Sequence, residues 1–204
     1  MKEKLLIMLE MQDAMNSRVN ANWRQANNPW YRAIWTECAE MLDHYGWKWW
    51  KHQQPELDQV RLELVDIFHF AMSDALIDQT DNNAVAEKIL VDLANAGQET
   101  DIRIAIETMA QSTIANRSMN FSDFSNLMNL MEMDFDHLYR MYVGKNVLNF
   151  FRQDHGYKEG SYKKVWLGQE DNEHLAELLD ELDSQAEGFK DAVYAGLASR
   201  YPSN

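Results

Sequence analysis

Glycine and proline are scarce in this chain, with 8 and 3 copies in 204 residues, against average usage of about 7% and about 5%. These two residues punctuate strands and tight turns, so their shortage argues against an all-β or doubly wound α/β fold. Cysteine is almost absent. With Cys38 alone no internal disulfide can form, and such usage fits a reducing, cytoplasmic setting. Long apolar runs are missing as well: nothing approaches the roughly 18 consecutive residues of a membrane span. The run Leu5 to Leu9, cut by Glu10, is too short for a signal peptide. The expectation is a soluble protein with no membrane partner. Positive charge is the last deficit. Lysine plus arginine number 19 against 33 acids, for a formal net charge of −14. That excludes a chain that holds nucleic acid or anionic lipid by a general positive field, so any phosphate-bearing partner must be met by local chemistry.

What is present reads as helix. The 46% apolar content over this length supports one core and a single all-α domain over 1–204. No glycine or proline falls between 56 and 96 or between 98 and 143. The expected helices are 3–19, 29–44 with Pro29 at a first helical position, 56–78, 82–97 behind an Asp81-Asn82-Asn83 cap, 99–116 and 122–143. A connector, Gly46-Trp47-Lys48-Trp49-Trp50-Lys51, runs toward Pro55. After residue 144 the texture changes to a basic loop region flanked by glycines at 144, 156, 160 and 168, entered after a further turn or two of helix. Residues 170–191 carry nine acids against Lys190 and are expected to form a solvated amphipathic helix.

Two acid pairs stand out. Glu37 and Glu40 in the second helix, and Glu63 and Asp66 in the third, are each three apart. That spacing puts both acids of a pair on one face, with β-carbons about 5–6 Å apart. From Leu62 to Met72 eight of eleven residues are apolar and surround the helix, so Glu63, Asp66 and His69 are polar positions in a buried element. Unpaired carboxylates there need strong partners or a cation. Salt links to Lys48, Lys51 and Arg61 are the ordinary alternative. Two facing helices would instead gather four oxygen donors, a set that selects magnesium, or manganese as a substitute. A di-iron bundle would require Glu-x-x-His pairs, which this pattern does not supply.

These residues, with Gln12-Asp13 and Asn16, the Gly46 to Lys51 run, Glu63-Leu64-Val65-Asp66-Ile67-Phe68-His69-Phe70, and Gly144-Lys145-Asn146-x-Leu148-Asn149-x-x-Arg152-Gln153-Asp154-x-Gly156-Tyr157, closely resemble the dimeric dUTPases. Those are all-α enzymes of the MazG-like nucleoside triphosphate pyrophosphohydrolase superfamily, distinct from the trimeric β-barrel dUTPases. The likeness covers roughly 12–70 and 144–172; residues 80–135 carry no recognisable motif. The resemblance implies a homodimer that hydrolyses dUTP, and dUDP, to dUMP by in-line attack of water. It places Glu37, Glu40, Glu63 and Asp66 as catalytic magnesium ligands, with Glu37 as the carboxylate that orients or deprotonates the water.

The remaining site residues follow the same likeness. Gln12 and Asn16 interrupt the buried stripe of the first helix, and an amide both donates and accepts, as a uracil edge requires; the alternative is that each satisfies a backbone group in the bundle. Trp47 offers an apolar wall for the base, and His69 with Phe70 closes the pocket. Lys145, Asn149 and Arg152, spaced four and three apart, share one helical face and are assigned to phosphate together with Lys48, Lys51, Tyr157, Lys158 and Lys164. A basic end that merely balances an acidic body is the alternative there. Two other functions stand beside the leading one: a relative that prefers dCTP or a broader nucleotide range, and a non-catalytic helical module, which would have broken acid pairs.

Overall fold

A computed structural model describes residues 1–79 and 81–202. Among the described residues its regular structure is helical apart from one short hairpin, so the expected all-α class is what the structure has. The chain divides into two compact units, Met1–Leu138 and Tyr139–Asn204.

In the first unit, α1 (Lys2–Val19) buries Leu5, Met8, Leu9, Gln12, Met15 and Asn16, the stripe expected from three- and four-residue spacing. A 3₁₀ turn (Trp23–Gln25) leads to α2 (Trp30–Tyr45), which starts one residue after Pro29. Helix α3 (Leu57–Ala75) has Leu64, Val65, Ile67 and Phe68 wholly buried. Asp81 caps α4 (Asn82–Leu93) by accepting from the Asn83 N–H. Asp101 caps α5 (Ile102–Asn116) in the same way, and Asn120 caps α6 (Phe121–Leu130). Helix α2 packs along α3 and α5, and α1 along α4 and α3.

The single helix expected over 122–143 is two. After α6 the chain turns at Glu132, whose φ is 52°, and α7 (Phe135–Asp154) begins. Buried Met131 and Met133 pull the turn inward. The Asp134 carboxylate accepts from the His137 N–H, an N-cap that stops one helix and starts the next without glycine or proline.

Helix α7 runs through Gly144 to Asp154, so the basic loop starts at 155, nearly three turns beyond Gly144 rather than the expected one or two. Gly144 is a packing glycine: a β-carbon there would lie 2.7 Å from Leu179 Cδ2. The loop closes in a hairpin, β1 (Val165–Trp166) against β2 (Gln169–Glu170), antiparallel. The acidic tail is not one helix but two, α8 (Asp171–Glu181) and α9 (Phe189–Arg200). Leu175, Leu178 and Leu179 of α8 and Phe189, Val193 and Leu197 of α9 are buried, so the segment has an apolar core face under its solvated acids. Among the described residues no helix is long and apolar enough to cross a membrane.

Candidate functional site

Three carboxylates converge where α2 lies along α3. One oxygen each from Glu37, Glu63 and Asp66 falls within 4.8 Å of the others. The side chain of Glu63 is only 12% exposed. Glu40, one turn beyond Glu37, is exposed and lies outside that set of three, although its charge contributes to the field on Glu37. Burial first, then a hydrogen bond with Glu63 and the nearby charges of Asp66, Glu63 and Glu40, push the Glu37 carboxyl up to about 8. A carboxyl raised so far holds a proton at neutral pH, because three crowded acids cannot all ionise in a half-buried place.

The bases that would neutralise the cluster under the ordinary reading are engaged elsewhere in two cases of three. Lys48 Nζ is 2.7 Å from Asp43 Oδ1. Arg61 pairs with Asp58 at 2.8 Å and donates to the Met131 carbonyl. Lys51 is exposed on the loop. A histidine does reach the cluster: His44 Nε2 is 3.6 Å from Glu63 Oε1, while its Nδ1 is 2.9 Å from Glu56 Oε2. His44 follows Glu37 by seven residues, two helical turns on one face, which is the signal that it belongs here.

A buried polar knot joins α1 to α3. Gln12 Nε2 donates to Asn16 Oδ1 at 3.0 Å and to Ser73 Oγ at 2.9 Å, and Asn16 Nδ2 donates to the same hydroxyl at 3.0 Å. His69 Nδ1 is 2.8 Å from Gln12 Oε1, and Ser73 closes the ring by donating to the His69 carbonyl. Gln12, Asn16 and His69 are thus brought together, and Ser73, not anticipated from sequence, sits at their centre. Phe70 lies at the edge of this region with its ring 6.3 Å from that of Trp30.

The tryptophan loop is separately built. Gly46 ends α2 at a φ of 90°, a conformation that disfavours any side chain, and a β-carbon there would meet Gln53 Cβ at 2.9 Å. Gln53 Oε1 accepts from the Trp47 and Lys48 N–H groups. Arg103 of α5 donates to the Gly46 carbonyl at 2.7 Å. Residues 46–53 and Arg103 line a groove of about 590 Å³. Trp47 is 40% exposed and donates its indole N–H to Asp43.

The second unit carries the other basic candidates. Lys145 is buried, and Asn149 and Arg152 are partly so. Arg152 forms a two-pronged pair with Asp171, Nε to Oδ2 at 2.8 Å and Nη2 to Oδ1 at 2.9 Å. Tyr157, Lys158 and Lys164 are exposed, and Lys164 pairs with Glu170 at 3.0 Å.

Three clustered carboxyl oxygens form a hard, anionic donor set that suits a divalent cation. The raised Glu37 carboxyl reflects the crowding of negative charge that a cation would relieve. A family model described as dUTPase matches residues 4–157. The match takes in both acid pairs, the polar knot, the tryptophan loop and the Lys145 to Tyr157 segment; Lys158, Lys164 and Asp171 lie beyond it. No curated protein gives a significant match to the chain.

Proposed function

The chain belongs to the all-α, dimeric dUTPase family and is on that ground a dUTP diphosphatase; from that premise we propose that the carboxylates between α2 and α3 form its catalytic centre and bind magnesium, with manganese a working substitute. The observation that carries this is the cluster of Glu37, Glu63 and Asp66 within 4.8 Å. When bound, the cation neutralises charge on the phosphates and favours a nucleophilic water. Glu63 and Asp66 supply ligands from one face of α3. Glu40, at the exposed rim, completes the set by a change of rotamer. Glu37 holds or takes up the proton of the attacking water at its carboxyl oxygen. Attack falls in line on the β-phosphorus, so the bridging oxygen leaves with the α-phosphate as dUMP. Pyrophosphate leaves from dUTP and phosphate from dUDP. Phosphoryl transfer of this kind is mostly positioning and charge stabilisation.

Uracil is read by Gln12 and Asn16, whose amide orientations are fixed by Ser73 and His69, with Trp47 and Phe70 as apolar walls. Lys48, Lys51, Lys145, Asn149, Arg152, Tyr157, Lys158 and Lys164 serve the phosphates. The test is a nucleotide panel with magnesium: dUTP and dUDP are turned over to dUMP, and dCTP at least about 100-fold less efficiently, since a site built to pair a base edge rejects the wrong donor pattern strongly. Equal kcat/KM for dCTP would favour the broader pyrophosphohydrolase and sink the uracil assignment. The enzyme works as a homodimer; light scattering is expected to give twice the chain mass of 23.9 kDa, and a monomer mass for active enzyme would refute this.

A further inference from the structure

The link between α7 and α8 is fastened at one carboxylate. Asp171, the first residue of α8, is wholly buried, and a carboxylate taken out of water is kept only where donors satisfy it. Three converge on it: Arg152 Nε and Nη2 at 2.8 and 2.9 Å, and the Tyr162 hydroxyl at 2.9 Å. Burial alone would raise this carboxyl, but Arg152 and Tyr162 outweigh it and hold it below the usual range.

The pair also reaches outward. A guanidinium has five N–H donors in a planar fork. Two serve Asp171, and a third, on Nη1, donates to Asn149 Oδ1 at 3.2 Å. The Tyr162 oxygen also stands within hydrogen-bonding reach of the guanidinium, and no other side chain shares the two remaining N–H groups among the described residues. Because Asn149 accepts through Oδ1, its Nδ2 is left as the donor it presents. The Tyr157 ring lies 6.0 Å from the guanidinium carbon. One buried carboxylate therefore sets Arg152, and Arg152 sets Asn149.

We infer that Asp171 is a positioning residue, with Tyr162 as its third anchor, and that it preorganises the remaining N–H groups of Arg152 and the Asn149 amide as a donor pair for the substrate's phosphate chain. This rests on the reading of Arg152 and Asn149 as phosphate-binding. A pair that served only to tie α7 to α8 would have no need of the Asn149 contact. Binding, rather than the chemical step, is where the effect belongs, since an oriented fork is ready before the nucleotide arrives.

The experiment measures kcat, KM for dUTP and the melting temperature for Asp171→Asn, Tyr162→Phe, Arg152→Ala and the paired variants. Outer groups that orient a binding residue are worth about 10- to 100-fold. Asp171→Asn is expected to raise KM about tenfold with kcat within about threefold, and Tyr162→Phe about two- to threefold. Neither should add to KM in the Arg152→Ala background, because coupled residues are non-additive. If Arg152→Ala raises KM while Asp171→Asn and Tyr162→Phe leave it unchanged, or if the effects add in the paired variants, the inference is overturned and the phosphate reading stands. If Arg152→Ala itself leaves KM unchanged, the phosphate reading fails and the inference falls with it. Should Asp171→Asn not fold, the cycle of Tyr162→Phe with Arg152→Ala decides alone.

Discussion

Replacing Glu63 by Gln is expected to lower kcat/KM for dUTP by about 100-fold or more, the scale of losing a preorganised charge or proton acceptor from an active site. Glu63 is the hub of the cluster: it shares a hydrogen bond with Glu37, lies within 4.8 Å of the Asp66 ligand oxygen and faces His44 Nε2 at 3.6 Å. The amide keeps the shape and removes the charge. The cation-free variant should nonetheless melt at the same temperature or higher, because one of the two charged carboxylates crowded beside the protonated Glu37 is gone and sites of this kind are held at a cost in stability. Burial would still act on Glu37, but the hydrogen bond and charge of Glu63 would not, so the Glu37 carboxyl should titrate below 8. Glu40→Gln is the control: an exposed acid outside the set of three should cost less than Glu63→Gln. Activity of Glu63→Gln within about threefold of the parent at saturating magnesium would place the chemistry elsewhere. A large loss of activity together with a large drop in melting temperature would mean that the residue serves the fold.

The acid pairs were legible because a spacing of three on a helix fixes a shared face whatever the tertiary structure, and because Leu62 to Met72 is apolar all round. Gln12 and Asn16 showed for the same reason, as amides inside an apolar stripe. Ser73 did not show. A serine in a helix commonly bonds the carbonyl four residues back, as Ser73 does to His69, and only the packing of α1 on α3 reveals its two further bonds. Glu40 illustrates the limit of spacing: three residues from Glu37 it shares the face, yet burial separates the two. Asp171 is hidden differently. It belongs to a run of nine acids that reads as solvated, and its burial depends on an arginine nineteen residues earlier. Gly144 misled the boundary between helix and loop, because a glycine that admits Leu179 against a helix looks the same in sequence as one that opens a loop. The turn at Glu132 left no glycine or proline signal; buried methionines and the Asp134 cap set it.

Magnesium uptake at pH 7 is expected to release close to one proton per site, and this follows from the state of Glu37. With the Glu37 carboxyl pushed up to about 8, most folded, cation-free molecules carry a proton on the coupled Glu37–Glu63 pair at pH 7, and a carboxylate must give it up to become a ligand. Calorimetry in two buffers of different ionisation enthalpy measures the release directly. Apparent affinity for magnesium should rise about tenfold per pH unit below 8 and level off above it. The sign for stability is opposite. An unfolded Glu37 ionises near 4.5, so between about 4.5 and 8 the folded state binds a proton that the unfolded state has lost. The stabilising effect of that proton falls as pH rises through the window. Melting temperature without divalent cation should therefore decline from about pH 5 to about pH 8, and saturating magnesium should abolish or reverse that slope, because the cation binds the folded, deprotonated site and stabilises it by mass action. Proton release below about 0.2 per site at pH 7 would show that Glu37 is already ionised in the free protein, and the account of the cluster as a site that holds a proton until a cation replaces it would fail.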